Sequence, residues 1–127
     1  EFMHILNQKK PYDESYDNIS RSDYVSGNWT STPDKKAQSM GFVSAYSMEN
    51  PAEDFAEAYS IYVTSTPEDW NTIMKNAGSK GGSIINRKLK MIREYMRNSW
   101  NVDIEVLRTA ILRRGGKIGT LDLNTLN

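Results

Sequence analysis

The sequence predicts a mostly α-helical protein, and three observations support this fold class. Strong helix-start signals stand at Asn50-Pro51 and Thr66-Pro67, and apolar residues recur at helical spacing between positions 85 and 96. The alternation of apolar and polar residues that marks strands is weak, and residues 42–46 are the one candidate. A length of 127 residues fits one domain.

The first element is a helix end over residues 1–9, which Pro11 stops. Residues 11–35 are polar and rich in turn formers, and we interpret them as a long ordered loop with room for one short helix. Aromatic residues in this loop indicate that it packs onto the rest of the domain. A loop of this length in a compact domain is often functional.

Cap residues predict the next two helices. Asn50 is a good N-cap and Pro51 suits the first helical position, which predicts a helix over 51–64. The next start signal predicts a second helix over 67–77, closed by Gly78.

Glycine positions and the spacing of apolar residues predict the last two helices. Gly81-Gly82 predicts another break, followed by a helix over 83–99 whose inner face carries four apolar residues, Ile85, Leu89, Ile92 and Met96. Asp103 predicts the cap of a last helix that extends to Arg114 and ends at Gly115-Gly116. Its inner face carries Ile104, Leu107 and Ile111. The tail from 117 is predicted to be either a strand-like extension or frayed.

The composition excludes several classes of protein. Lys and Arg together number 16, as do Asp and Glu, so the basic excess typical of nucleic-acid and anionic-membrane binding is missing. The absence of cysteine excludes disulfides and thiolate metal sites. No apolar run reaches the roughly 20 residues of a membrane span. We interpret the basic residues of the later helices, Lys88 among them, as a solvated surface.

A metal motif is suggested by Glu1-Phe-Met-His4. In an HExxH helix two histidines four residues apart hold zinc, and the glutamate takes a proton from the attacking water. Here His4 is a candidate metal ligand and Glu1 a candidate general base, and the first histidine would directly precede Glu1. The alternative interpretation is a helix end with one surface histidine.

A third ligand is suggested by Glu53, at the start of the predicted helix over 51–64. Two-histidine zinc sites need one more protein ligand, often a glutamate on another helix. Glu57 lies one turn later on the same face and is a candidate for holding a ligating imidazole through its other N–H. The alternative is a solvated acidic first turn that the helix dipole favours.

The two segments together resemble the gluzincin pattern HExxH…E. They also resemble the catalytic domain of anthrax lethal factor, in which a matching helix supplies the third zinc ligand. This resemblance implies that Glu53 is the ligand, with Asp54 replacing an aromatic residue. It further implies that Tyr46, seven residues before Glu53, assists the transition state by hydrogen bonding to an oxyanion.

Four stretches spread over nearly the whole chain carry a second resemblance: residues 1–10, 23–29, 53–57 and 88–96. They resemble a family of zinc metallohydrolase lipoproteins associated with substrate import in Bacteroidetes. The resemblance implies a Zn²⁺ cofactor, a peptide or protein substrate and a possible link to outer-membrane import machinery. It also implies an exported, lipid-anchored protein at the periplasm or cell surface. Residues 1–127 would then form the C-terminal helical part of a zincin-like metallopeptidase domain that begins within HExxH, with any β-sheet largely upstream.

Two other interpretations stay open. The chain can be a non-catalytic helical accessory or binding module of a bacterial nutrient-uptake system, with a decayed or purely structural metal site. It can also be a helical interaction domain with no metal history, in which case the spacing of Tyr46, Glu53 and Glu57 is coincidence. A histidine directly before Glu1 favours the enzyme, and any other residue there favours the binding module.

Overall fold

The computed structural model describes residues 2–118, and it describes residues 115–118 by their backbone alone. Within this range the chain is built of α-helices and short 3-10 turns, with no strand, which confirms the mostly α prediction. The α-helices are α1 (Phe2–Lys9), α2 (Tyr16–Ile19), α3 (Asp34–Ser39), α4 (Pro51–Thr64), α5 (Pro67–Trp100) and α6 (Ile104–Ile118). The 3-10 turns are Arg21–Asp23, Trp29–Ser31 and Tyr46–Met48.

Helix α4 lies at the centre of the fold and begins where its cap predicts. The side chain of Asn50 accepts a hydrogen bond from the backbone N–H of Glu53 at 2.9 Å, and Pro51 opens the helix. Its inner face buries Phe55 and Tyr62 against α5 and α6. The capped first turn therefore holds Glu53 at a defined place on the rim of the core.

Helix α5 is longer than predicted because the Gly81-Gly82 break is wrong. The helical path is interrupted at Gly78 (φ 70°, ψ −165°), as predicted, but it resumes at once and continues to Trp100. At Gly81 a Cβ atom would lie 2.4 Å from the carbonyl oxygen of Gln38. This glycine therefore lets α3 approach closely, and it does not end a helix.

Helix α6 begins at the predicted cap but extends past the predicted end. The Asp103 carboxylate accepts backbone hydrogen bonds from Glu105 at 2.8 Å and Val106 at 3.3 Å. The helix continues to Ile118, so the predicted end at Gly115-Gly116 is wrong. Glycine raises the free energy of a helix by about 1 kcal/mol without forbidding its backbone angles. The rest of the predicted tail, from 119 onward, lies outside the described residues.

Residues 42–46 form a turn, so the predicted strand is wrong. The described part of the chain offers no neighbouring strand with which they could pair. Instead Phe42, Ala45 and Met48 pack with Ala37 of α3 into a small second core. The backbone N–H of Ala45 donates to Asp34 at 2.8 Å, which ties this turn to the start of α3.

The predicted loop over 11–35 contains α2 and two 3-10 turns, so it is more ordered than expected. Its aromatic residues do pack inward, as predicted. Tyr16 is fully buried, and Tyr12 stacks on Phe55 with ring centroids 4.5 Å apart. Among residues 2–118 no helix combines the length and apolar character that a bilayer crossing requires.

Candidate metal centre

His4 and Glu53 meet although 49 positions separate them in the chain. His4 lies on α1 and Glu53 on the first turn of α4, and the imidazole Nε2 contacts the carboxylate Oε1. Both side chains are partly accessible, with 31% of His4 and 22% of Glu53 exposed. The structure therefore brings together the imidazole and the carboxylate that the sequence proposes as metal ligands.

The placement of His4 follows from how α1 is anchored. Met3 and Leu6 are buried in the main core, which fixes the rotation of the helix. Just after α1, the carbonyl of Lys10 accepts a hydrogen bond from the Tyr95 hydroxyl at 2.5 Å. The Lys10 ammonium donates to the carbonyl of Ser99 at 2.6 Å. The buried face of α1 and the segment just after its C-terminal end are thus held, and His4 faces the start of α4.

Tyr46 completes the group from the 3-10 turn that precedes α4. Its hydroxyl donates to Oε2 of Glu53, and 37% of the residue is exposed. The hydrogen bond to Glu53 is the main cause that raises the pKa of Tyr46 to about 12. The phenol is therefore protonated at neutral pH and serves as a hydrogen-bond donor. The edge of the Trp29 ring packs on Tyr46 with centroids 5.2 Å apart.

Glu49 holds Trp29 in this position. Its carboxylate accepts hydrogen bonds from the Trp29 indole at 2.7 Å, from the backbone of Gly27 at 3.1 Å, and from the Ser26 hydroxyl. These contacts keep the pKa of Glu49 below its ordinary value, with the Ser26 hydrogen bond as the largest cause. The loop before α3 is thereby tied to the turn that carries Tyr46.

The carboxylate of Glu53 is kept in its ionised form. Burial opposes ionisation, but hydrogen bonds from Tyr46 and His4 outweigh it, so the pKa of Glu53 lies below its ordinary value. An ionised carboxylate beside an imidazole nitrogen is a donor pair suited to a divalent cation such as zinc.

Of the two remaining predicted site residues, the structure describes Glu57 but not Glu1. Glu57 lies one turn after Glu53, is partly buried, and accepts a hydrogen bond from the Ser44 hydroxyl at 2.9 Å. Its proposed role of orienting a zinc-binding histidine stays a prediction. Glu1 lies outside the described residues.

An open cleft gives solvent access to this group. Its lining comes from α1, from the start of the following loop and from the first turn of α4. The residues are His4, Asn7, Gln8, Tyr12, Asn50, Ala52 and Glu53. A substrate that enters the cleft would therefore meet both candidate ligands directly.

The imidazole of His4 and the carboxylate of Glu53 are groups that bind zinc, but a zinc site needs one more protein ligand. Zinc in catalytic sites takes three protein ligands from histidine and carboxylate side chains and leaves one position open. The described residues contain no group of three or more such side chains that could hold a metal ion. If His4 and Glu53 are ligands, they would be two of the three protein ligands, and the third would lie outside the described residues.

Asp54 and Lys88 are the pair that the sequence reasoning missed. Asp54 is completely buried and Lys88 is 1% exposed, with the ammonium 2.9 Å from the carboxylate. The prediction that Lys88 belongs to a solvated surface is therefore wrong. Helical spacing carried the signal, because position 88 falls between Ile85 and Ile92 on the apolar face of α5.

Comparisons with known proteins relate this chain to zinc-binding metallo-peptidases. Residues 1–105 match the model of a family described as "putative zinc-binding metallo-peptidase". The chain is also similar to a crystal structure from Bacteroides caccae described in the same words, with 41% sequence identity and a TM-score of 0.90. The match covers 96% of this chain and 47% of that one, so the chain spans about half the length of the solved protein. No curated protein matches the sequence.

Proposed function

This chain belongs to the zinc-binding metallo-peptidase family matched over residues 1–105, and we propose that it carries two of the three protein ligands of a zinc-dependent peptidase centre. The observation that supports the proposal is the contact between His4 of α1 and Glu53 of α4, which places an imidazole nitrogen beside a carboxylate oxygen. His4 and Glu53 would hold the metal, together with a histidine directly before Glu1 in the longer protein.

The chain's own residues divide the remaining work. When bound, zinc supplies a Lewis acid that lowers the pKa of water toward ~7 and polarises a carbonyl group. Glu1 takes the proton of the attacking water and passes it to the leaving amine. The protonated phenol of Tyr46 donates its single O–H to Glu53 in the structure, and in the reaction it would turn that O–H to the oxyanion of the tetrahedral intermediate. Glu57 holds a ligating imidazole through its second nitrogen.

Metal analysis of the full-length protein tests the ligand assignment. We expect about one zinc per chain, lost in His4→Ala and in Glu53→Ala because each removes a direct ligand. Full retention of zinc in both variants would refute the assignment. If residue 1 is preceded by something other than histidine and the protein binds no zinc, the non-catalytic accessory module is the better interpretation.

Peptide hydrolysis tests the roles of Glu1 and Tyr46. Glu1→Gln should keep zinc and abolish turnover of a quenched fluorescent peptide library, because the general base is removed. Tyr46→Phe should lower kcat on the order of 100-fold with little change in KM, as expected for a donor used in the transition state. Unaltered turnover in Glu1→Gln would remove that residue from the mechanism.

The location and partners that we propose rest on the resemblance to the Bacteroidetes lipoproteins. The full-length protein would be exported, anchored by lipid and placed near outer-membrane import machinery, with peptides or proteins as substrates. Metabolic labelling with palmitate should mark the full-length protein in its native host. An unlabelled protein recovered from the cytoplasm would contradict this location.

A further inference from the structure

We propose that Lys88 and Asp54 are positioning residues that hold the turn carrying Tyr46 against the first turn of α4. The inference rests on the proposed function, because Tyr46 and Glu53 belong to the proposed zinc centre. Neither Lys88 nor Asp54 lines the cleft beside His4 and Glu53. Their effect would therefore be transmitted through the backbone segments that they join.

The Lys88 ammonium touches two segments at once. It lies 2.9 Å from the Asp54 carboxylate, donates to the carbonyl of Gly41 at 2.8 Å and lies 3.9 Å from the centre of the Phe42 ring. Asp54 directly follows Glu53, whereas Gly41 and Phe42 begin the turn that leads to Tyr46. One buried cation therefore links the two segments whose side chains meet at Glu53.

Asp54 extends the link to a third segment. Its Oδ2 accepts a second hydrogen bond from the Tyr24 hydroxyl at 2.7 Å, and the Tyr24 ring packs edge-on against Phe42 with centroids 5.6 Å apart. The backbone N–H of Val25, the next residue, donates to the carbonyl of Met48 at 2.8 Å. These contacts hold the loop before α3 against the turn that carries Tyr46, at Phe42 before Tyr46 and at Met48 after it.

Stability alone is a poor explanation for this pair. Removing two charges from water is costly, and replacing a buried ion pair by apolar residues of similar volume is often neutral or stabilising. This ion pair also constrains geometry, because the Lys88 ammonium must contact the Asp54 carboxylate, the Gly41 carbonyl and the face of the Phe42 ring at the same time. An apolar contact would hold the segments near each other without fixing how far one slides along the other.

The double variant Asp54→Asn with Lys88→Met, made in the full-length protein, tests the proposal. Methionine keeps most of the lysine volume, and asparagine still accepts the Tyr24 hydrogen bond. A matched control is Arg93→Met with Glu105→Gln, which removes another ion pair of α5, 2.7 Å long and remote from Glu53 in the sequence. Thermal melting shows first which variants are folded.

Two readouts then separate positioning from general stability. In the folded double variant we expect the zinc affinity to fall about tenfold or more, as it does when residues that hold the metal ligands in place are removed. Chelator competition measures this affinity. In the metal-free protein the ¹H–¹⁵N resonance of the Trp29 indole should also shift, because Trp29 packs on Tyr46. The Arg93 and Glu105 control should leave both readouts unchanged.

Unchanged zinc affinity and an unchanged Trp29 resonance in the folded double variant would overturn the proposal. If the double variant does not fold, Tyr24→Phe takes its place, since it removes only the second hydrogen bond to Asp54, and a loss of about threefold is expected. If the wild-type protein binds no zinc, the proposed function fails. The Trp29 resonance of the metal-free protein then still decides whether Lys88 and Asp54 position the turn.

Discussion

Two tyrosine–glutamate hydrogen bonds lie at opposite ends of α4, and they differ in what surrounds them. At the first turn, the Tyr46 hydroxyl donates to Glu53, whose other side-chain contact is the imidazole of His4. Near the last turn, the Tyr62 hydroxyl donates to both oxygens of Glu105 at 2.7 and 2.8 Å.

The second pair is neutralised by arginine and the first is not. Arg93 donates to Glu105 at 2.7 Å, and the guanidinium of Arg108 lies 4.8 Å from the centre of the Tyr62 ring. Within the described part of the chain Glu53 has no ion pair with lysine or arginine. The same two residue types therefore form a contact whose charge is compensated by arginine at one end of α4, and a contact without arginine or lysine among the described residues at the other.

This difference teaches how to separate a candidate site from a scaffold contact. A carboxylate that already holds an arginine has its charge compensated, and when the pair is partly exposed it contributes about 1 kcal/mol or less to stability. A carboxylate that faces an imidazole and a phenol in an open cleft lacks that compensation, and a divalent cation would provide it. Metal binding should therefore depend on the first pair, and folding stability should depend more on the second.

The largest expected effect is on zinc. In the full-length protein Glu53→Gln should lower zinc affinity by roughly 100-fold or more, since one of three protein ligands loses its charge. The matched change Glu105→Gln should leave the affinity within about twofold of wild type. Chelator competition measures both constants, and equal losses in the two variants would remove the distinction between the pairs.

The next effect concerns how each tyrosine is held. Tyr62 lies on α4 itself, whereas Tyr46 lies on a turn supported by α3, which packs closely on Gly81. Gly81→Ala should lower the free energy of unfolding by about 2 kcal/mol, because its Cβ would overlap the carbonyl of Gln38. Urea denaturation gives the value.

Gly82→Ala is the matched control for this substitution. Its Cβ would lie 3.3 Å from the flexible end of Met74, so little has to move. Alanine favours a helix over glycine by about 1 kcal/mol, so a neutral or slightly stabilising result is expected. If both substitutions destabilise equally, the close approach at Gly81 is not the cause.

A smaller effect should distinguish the two carboxylates in the metal-free protein. Glu105→Ala should lower the free energy of unfolding by about 1–2 kcal/mol, because the partly buried Tyr62 hydroxyl and Arg93 lose their shared partner. Glu53→Ala should change it by less than about half as much, since its loss also relieves repulsion from Glu57. A larger loss in Glu53→Ala would contradict the division into site and scaffold.

The smallest effect is a pH dependence. Burial works against ionisation of Glu105, but hydrogen bonds from Tyr62 and Arg93 outweigh it, so its pKa lies below the ordinary 4.5. A lowered pKa in the folded state means that the stabilisation is present above pH 4.5 and is lost as the pH falls further. The effect should stay below about 1 kcal/mol, because the side chain is 47% exposed.

Denaturation between about pH 6 and pH 3 checks this expectation. Wild-type stability should fall more steeply in the acidic part of that range than the stability of Glu105→Gln, which has no carboxylate to protonate. Parallel curves for the two proteins would show that Glu105 does not contribute through its charge.

Several features of the site were readable in the sequence because they depend on neighbours close in the chain. Asn50 and Pro51 define the start of α4, so the face shared by Glu53 and Glu57 followed from helical spacing. Local caps and periodicity specify such features without knowledge of the rest of the fold. Tyr46 was suggested instead by the resemblance to the lethal factor catalytic domain, and in the structure its hydroxyl contacts Glu53.

Other features were mispredicted because a local pattern has more than one use. Gly81-Gly82 looks like a break, but in the structure it admits a neighbouring helix. Residues 42–46 have strand-like composition, but without a partner strand in the described chain they form a turn. The charge of Lys88 suggested solvent, although its place on the apolar face of α5 pointed inward.

The sequence by itself determined the helical class and the caps of α4 and α6, and it suggested which residue types would hold zinc. Only the tertiary structure decided that His4 reaches Glu53 and that Lys88 is buried beside Asp54. Local preferences arise from interactions within about one helical turn. Contacts between residues 49 or 34 positions apart depend on how the packed helices align, and that alignment is set by the whole core.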